Sequence, residues 1–215
     1  MEEIVSDGNL VLRRREDGSL ELRANGVFVM DTVETSTERE LAVRALALHP
    51  APARVLVGGL GLGFTLRAVL ADPRVEHVTV VEIETALVAW TRAGLVPGGE
   101  ALSDPRTRVE VADVAHVLAG SCSAYDLILL DVDNGPGYLV HDANAGLYRA
   151  PALEDARRAT RPGGIVVVWS AAASSELEMT MAGVFGGVRA LPYDVDLQGR
   201  AETYWLYVSA PTPAG

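Results

Sequence analysis

The chain has 215 residues, 49% hydrophobic, 22% charged and 6% aromatic, which suits one globular α/β-sized domain and excludes a disordered or fibrous chain. A formal net charge of −11 sets the average surface against phosphate backbones and anionic lipid, so neither a nucleic-acid nor a membrane partner is expected. All 18 basic residues are Arg, which excludes lysine Schiff-base chemistry and the lysine of a P-loop.

Residues 9–31 alternate in period two and are broken by Asp17-Gly18 and Asn25-Gly26, dipeptides that favour tight hairpin turns, so a three-stranded antiparallel β-meander is expected. Thr37 and Glu40 then have capping-box spacing and predict a helix to about His49, stopped by Pro50 and Pro52. From Ala53 onward, short apolar runs alternate with helix-length segments, the pattern of a mostly parallel sheet covered on both faces. Strands are expected near 54–58, 77–82, 107–112, 125–131 and 164–169, and helices at 63–71, 84–94, 114–119 and 147–160, the last ending at Arg161-Pro162-Gly163-Gly164. A further helix at 174–183 precedes two segments, 187–192 and 203–209, that can pair as a terminal antiparallel hairpin. The division is a meander over 1–36, a Rossmann-like domain over 37–210 and a loose tail over 211–215.

Three further features set expectations. Cys122 is the only cysteine and cannot make an internal disulfide. His49, His77, His116 and His141 have no ligand spacing, so no metal is expected. The start, Met1-Glu2-Glu3, is acidic, and no apolar run nears the roughly 20 residues of a membrane span, so neither signal peptide nor anchor is expected and the default location is cytoplasmic.

The strongest chemical signal is Val55-Leu56-Val57-Gly58-Gly59-Leu60-Gly61-Leu62-Gly63, a strand running into glycines and then a helix. Backbone there must turn sharply and approach a ligand. Gly59, Gly61 and Gly63 recur at every second residue, a pattern more typical of an adenosyl-sulfonium site than of a dinucleotide site, which would need glycine at Phe64. Tight strand–helix packing alone could also select these glycines. Glu82 ends the second parallel strand about twenty residues on, where a carboxylate can accept both ribose hydroxyls. Glu84 competes with it, or else favours the next helix dipole. Asp113 closes the third strand, either to meet an adenine amine or to N-cap the following helix. Asp131, after Leu127-Ile128-Leu129-Leu130, should stand at the mouth of the fourth strand, where a charge is tolerated mainly when something pairs with it. Asp133 and Asn134 extend that rim and could help hold a cationic amine, or could be turn residues before Gly135-Pro136-Gly137. The irregular stretch 133–147 carries His141, a candidate base or a surface histidine, and Tyr138. Tyr138, Tyr148 and Trp169 could wall the pocket, with core packing the alternative for Trp169.

In this order, with the meander in front, these segments resemble the spermidine/spermine synthase family of the class I methyltransferase fold. Val55 to Arg67 aligns with the family's glycine-rich segment without a gap, and Val81-Glu82-Ile83-Glu84 resembles its ribose-binding segment. Asp104-Pro105-Arg106 with Val109 to Asp113, then Leu147-Tyr148, then Arg161 to Gly164, complete the series. The resemblance implies a seven-stranded, mostly parallel sheet with an antiparallel end, and aminopropyl transfer from decarboxylated S-adenosylmethionine to a small amine. Methyl transfer from S-adenosylmethionine, or nucleoside binding without catalysis, is the alternative. It also implies that Asp131 is the catalytic aspartate. Family members are often dimers or larger, which makes the apolar face of the meander the expected contact in a homodimer. Three departures stand out: Leu62 replaces an Asp that recognises the donor ammonium, the second amine-binding Asp falls at or near Asn134, and the family's glutamine-bearing segment is missing around Val29 to Glu34. Leu62 would leave room for a donor that keeps its carboxylate.

Overall fold

Four residues of β5 (Arg54–Gly58) and five of β8 (Tyr125–Leu130) are buried, and along each strand the side chains alternate between two cores. Val55, Val57, Leu127 and Leu129 face one, while Leu56, Ile128 and Leu130 face the other. That alternation is what a central strand covered on both faces requires. The computed structural model describes residues 1–33, 35–132, 135–137, 139, 142–197 and 200–213.

Around this pair lie β6 (His77–Glu82), β7 (Thr107–Val111), β9 (Thr160–Ser170), β10 (Val188–Leu197) and β11 (Arg200–Ser209), in the order β10-β11-β9-β8-β5-β6-β7. The five strands from β9 to β7 are parallel, and β11 runs antiparallel to both β9 and β10. One face carries α1 (Ser36–Leu48), α2 (Phe64–Leu70), α3 (Thr85–Arg92) and the single turn α4 (Gly99–Leu102). The other carries α5 (Val114–Ala119), α6 (Ala150–Ala159) and α7 (Ser175–Phe185). A 3₁₀ segment at Asp142–Tyr148 leads into α6. The Rossmann-like, class I methyltransferase arrangement expected from the sequence is therefore present, and among the described residues no helix is long and apolar enough to cross a membrane.

The N-terminal sheet has four strands rather than three: β1 (Glu2–Asp7), β2 (Leu10–Arg14), β3 (Leu20–Ala24) and β4 (Val27–Asp31). Strand β1 escapes pattern reading because it is an edge strand whose only apolar residues, Ile4 and Val5, are adjacent instead of alternating. The Asn25-Gly26 hairpin forms as expected, both residues having positive φ (52° and 76°). The apolar face of this sheet is not available to a partner copy. Leu10, Leu12, Leu22, Ala24 and Met30 are at most 8% exposed and share one core with α1 and α2.

Three local expectations are corrected. Thr37 and Glu40 form no capping box: the N-cap is Thr35, the Thr37 hydroxyl donates to Glu38 (2.6 Å), and Glu40 pairs with Arg44 one turn on (2.7 Å). Arg161 to Gly164 lie inside β9, because α6 stops at Ala159 and Thr160 is already extended (φ −76°, ψ 147°). The short α4, between α3 and β7, was not expected at all. It is one turn long, too short for a periodic signal.

Candidate active site

A cavity of about 890 Å³ opens at the C-terminal edge of the parallel strands, the position at which doubly wound sheets bind ligands. The order of the strands lays out its parts. The ends of β5, β6 and β7 supply Gly59 with Gly61, Glu82 with Glu84, and Asp113, the ends of β8 and β9 supply Asp131 and Trp169, and the middle of β11 supplies Tyr204. The N-terminal sheet and the first turn of α1 close it with Phe28, Met30, Asp31, Thr37 and Glu38.

Gly59 is required where it stands. Its φ is 94°, its N–H donates to the Val81 carbonyl (2.8 Å), and a Cβ there would collide with the carbonyl oxygen of Asp131. The first glycine thus lets the loop after β5 close against the residue that ends β8. Gly61 also lines the cavity. Gly63 does not. It caps α2 with φ 84°, and a Cβ would come within 2.9 Å of Gly98 Cα, so this glycine is required for packing against the turn before α4.

Glu82 is 7% exposed, and its two carboxylate oxygens accept N–H bonds from Leu60 (2.9 Å) and Glu84 (2.8 Å). Burial raises its pKa, and these backbone donors oppose the rise. The carboxylate is thereby fixed with lone pairs left for a diol, since each oxygen can accept more than one bond. Glu84 is the residue before α3 and lines the same region. Asp113 N-caps α5 by accepting from Ala115 N–H (2.8 Å), and it also lines the cavity.

Asp131 accepts the Thr65 hydroxyl (3.0 Å) while its own N–H donates to Gly58 (2.9 Å). Its carboxyl is pushed up to about 7, chiefly by burial and then by the negative charge of Glu38, with the Thr65 bond opposing. A carboxylate poised near neutrality inside a cleft is a candidate general base. Glu38, on the first turn of α1, is thus the second carboxylate of this centre. Asp133 and Asn134, expected to fill that role, and Tyr138 and His141 with them, lie outside the described residues. Tyr148 is 7% exposed in the core that carries α5, α6 and α7 and is not among the described cavity-lining residues. Leu62 is corrected. It is fully buried, shares the core with Met30, and its N–H donates to the Met30 sulfur (3.1 Å), so it neither faces the cavity nor leaves space in it.

Seven acidic residues line the cavity, Asp31, Glu38, Glu82, Glu84, Asp113, Asp131 and Glu202, and among the described residues no basic side chain does. Asp31 is neutralised by Arg15 (2.7 Å), which also grips Glu21 (2.7 Å). The remainder make a cation-selecting site. Among the described residues no group of three metal-ligating side chains occurs. Sequence reading missed Glu38, Thr65, Met30 and Tyr204 as parts of the site. Thr65 stood inside the glycine-rich run and Glu38 in the first turn of a predicted helix, but nothing in the spacing couples either to a residue 66 or more positions away.

The spermine/spermidine synthase domain model matches residues 34–183. The chain belongs to the spermine/spermidine synthase family. Members of this family are transferases that move an aminopropyl or methyl group from decarboxylated or intact S-adenosylmethionine to small amines. Among curated relatives, putrescine N-methyltransferase 3 of Nicotiana tabacum is 34% identical over 154 residues, 70% of this chain and 36% of that protein. A polyamine aminopropyltransferase of Bacillus mycoides (strain KBAB4) is 32% identical over 129 residues, 57% of this chain and 47% of that protein. The chain therefore spans under half the length of these relatives. Its fold is that of a spermidine synthase solved in complex with the transition state analogue AdoDATO (TM-score 0.83, 19% identity, 97% of this chain and 73% of that one). The spermidine synthase of Thermotoga maritima matches similarly (TM-score 0.81, 20% identity, 100% and 74%).

Proposed function

We propose that this chain binds an adenosyl sulfonium with its nucleoside along the ends of β5, β6 and β7, and transfers an aminopropyl group to an amine held at Asp131. The observation that carries the reading is Asp131 itself, a carboxyl poised at about 7 in the same cavity as Glu82 and Asp113. In the reaction the amine nitrogen forms a bond to the carbon beside sulfur, the C–S bond breaks, and its electron pair returns to sulfur as a neutral thioether. No acid is needed at the leaving group. The amine must instead be oriented and relieved of a proton, and Asp131 with Glu38 beside it supplies both a docking charge and the acceptor for that proton. Thr65 fixes which way the Asp131 carboxylate points.

Charge favours the decarboxylated donor. Its tail is a cation without a carboxylate, and the described lining offers acids and no arginine. Methyl transfer from intact S-adenosylmethionine is the second reading, and the burial of Leu62 favours it, since the glycine loop then brings no acidic side chain to the donor ammonium. Calorimetric titration with decarboxylated S-adenosylmethionine, S-adenosylmethionine and methylthioadenosine, paired with turnover of an amine by each donor, tests both. Tighter binding and turnover of the decarboxylated donor supports aminopropyl transfer. Turnover with only the intact donor replaces it by methyl transfer, and binding of none of the three removes the reading.

A further inference from the structure

We infer that the amine alkylated in this cavity is carried on an apolar body, aryl or alkyl, seated in an aromatic corner made by Trp169 and Tyr204 and held in place by Tyr193. The inference rests on the transferase reading above and adds the class of acceptor. Strand order locates the acceptor. With the nucleoside residues on β5, β6 and β7, the space past Asp131 is bounded by β9 and β11. Leu130 pairs with Val168, so one step along this register sets Trp169 beside Asp131, and Trp169 pairs in turn with Leu206. Tyr204, two residues before Leu206, shares its face of β11.

The two rings meet edge to face, with centroids 5.1 Å apart and planes at 73°. Their position is fixed from behind. Trp169 Nε1 donates to the Tyr193 hydroxyl (2.8 Å), and Tyr193, 6% exposed, also stands edge-on to Tyr204 (6.1 Å) and donates to the Thr37 carbonyl on α1 (3.4 Å). Thr37 adjoins Glu38, so one buried hydroxyl ties the aromatic corner to the turn that brings the second carboxylate. Ala171 and Ala172 continue the wall beyond Trp169 with methyl groups alone. A locked, edge-to-face pair of rings beside a carboxylate gives an amine a charged anchor at its nitrogen and apolar contact along its carbon skeleton. Glu202 also borders the cavity but is exposed, where a hydrated charge adds little to binding.

The test uses the full chain with the donor found active, comparing 2-phenylethylamine and hexylamine with 1,4-diaminobutane and reading the thioether product by chromatography. The apolar amines are expected to exceed the diamine in kcat/KM by about tenfold or more, a difference of about 1.4 kcal/mol. Trp169→Ala should erase that preference mainly through KM, with methylthioadenosine affinity unchanged. Tyr193→Phe, which keeps the packing but frees the indole N–H and the Thr37 carbonyl, should weaken the preference in part and shift the pH profile of kcat, which loss of packing alone would not move. Preference for the diamine, or an equal loss for all three amines in both variants, overturns the inference while leaving the transferase reading intact. Methylthioadenosine binding with turnover of no amine removes both.

Discussion

The two ends of the cavity are built on different plans. At the end proposed for the nucleoside each residue sits at or just after a strand end, and its carboxylates are held by backbone N–H groups: Glu82 by Leu60, in the loop after β5, and by Glu84, and Asp113 by Ala115. At the end proposed for transfer the parts come from places far apart in the chain. Asp131 is bonded by Thr65 and pressed by Glu38, and Trp169 is held by Tyr193, which reaches Thr37 across 156 residues. Binding a nucleoside needs fixed acceptors, which backbone N–H groups around the strand ends supply. Moving a proton needs a carboxyl whose affinity is tuned by charges that only the tertiary fold can bring near it.

The largest expected effect separates the ends outright. Asp131→Asn keeps size and most hydrogen bonding but removes the proton acceptor, so amine turnover should fall by about 10²–10⁴-fold in steady-state kinetics. Next is Leu62, which the fold assigns to neither end. Leu62→Ala should cost about 2–5 kcal/mol in denaturant unfolding, as for a fully buried leucine, without altering the ratio of affinities for decarboxylated and intact donor. A changed ratio would put Leu62 back against the donor tail.

A third effect is in pH. Asp131 lies at about 7 in the fold against an ordinary 3.8, so the folded state keeps a proton that the unfolded chain releases. Its contribution is complete below the unfolded value and is lost as pH rises to about 7, so ligand-free stability should decline across that window. Asp131→Asn should flatten the decline, leaving the variant's melting temperature above the parent's at pH 8. In turnover the sign reverses, because the ionised form is the base, and kcat should rise with pH toward about 7. The smallest effect is Glu38→Gln, which removes the second cause of the raised value and should move that rise to lower pH. No movement would mean that Glu38 does not press on Asp131.

This difference in plan also explains what could be read from sequence. The parallel strands, the Asn25-Gly26 hairpin and the residues Gly59, Glu82, Asp113 and Asp131 follow from local pattern, because a strand end fixes where the next side chain stands. Gly63 shows the limit of that pattern, because a glycine needed for packing against Gly98 leaves the same trace as one needed at a ligand. Strand β1 was lost to an edge position with no alternating face. Glu38, Tyr193 and Tyr204 enter the site through the packing of α1 against β8 and β11 and the Tyr193–Thr37 bond, contacts that no spacing in the chain encodes although the final hairpin itself is legible.

The division of the cavity is tested most directly by titrating methylthioadenosine into Glu82→Ala and Asp131→Asn side by side, since this ligand has the ribose diol and lacks the amine. The expected result is a loss of about 10–100-fold in affinity for Glu82→Ala, in line with removal of a charged acceptor, and affinity within about twofold of the parent for Asp131→Asn. An equal loss in both variants, or undiminished binding by Glu82→Ala, would contradict the assignment of the nucleoside to β6 and of the base to β8.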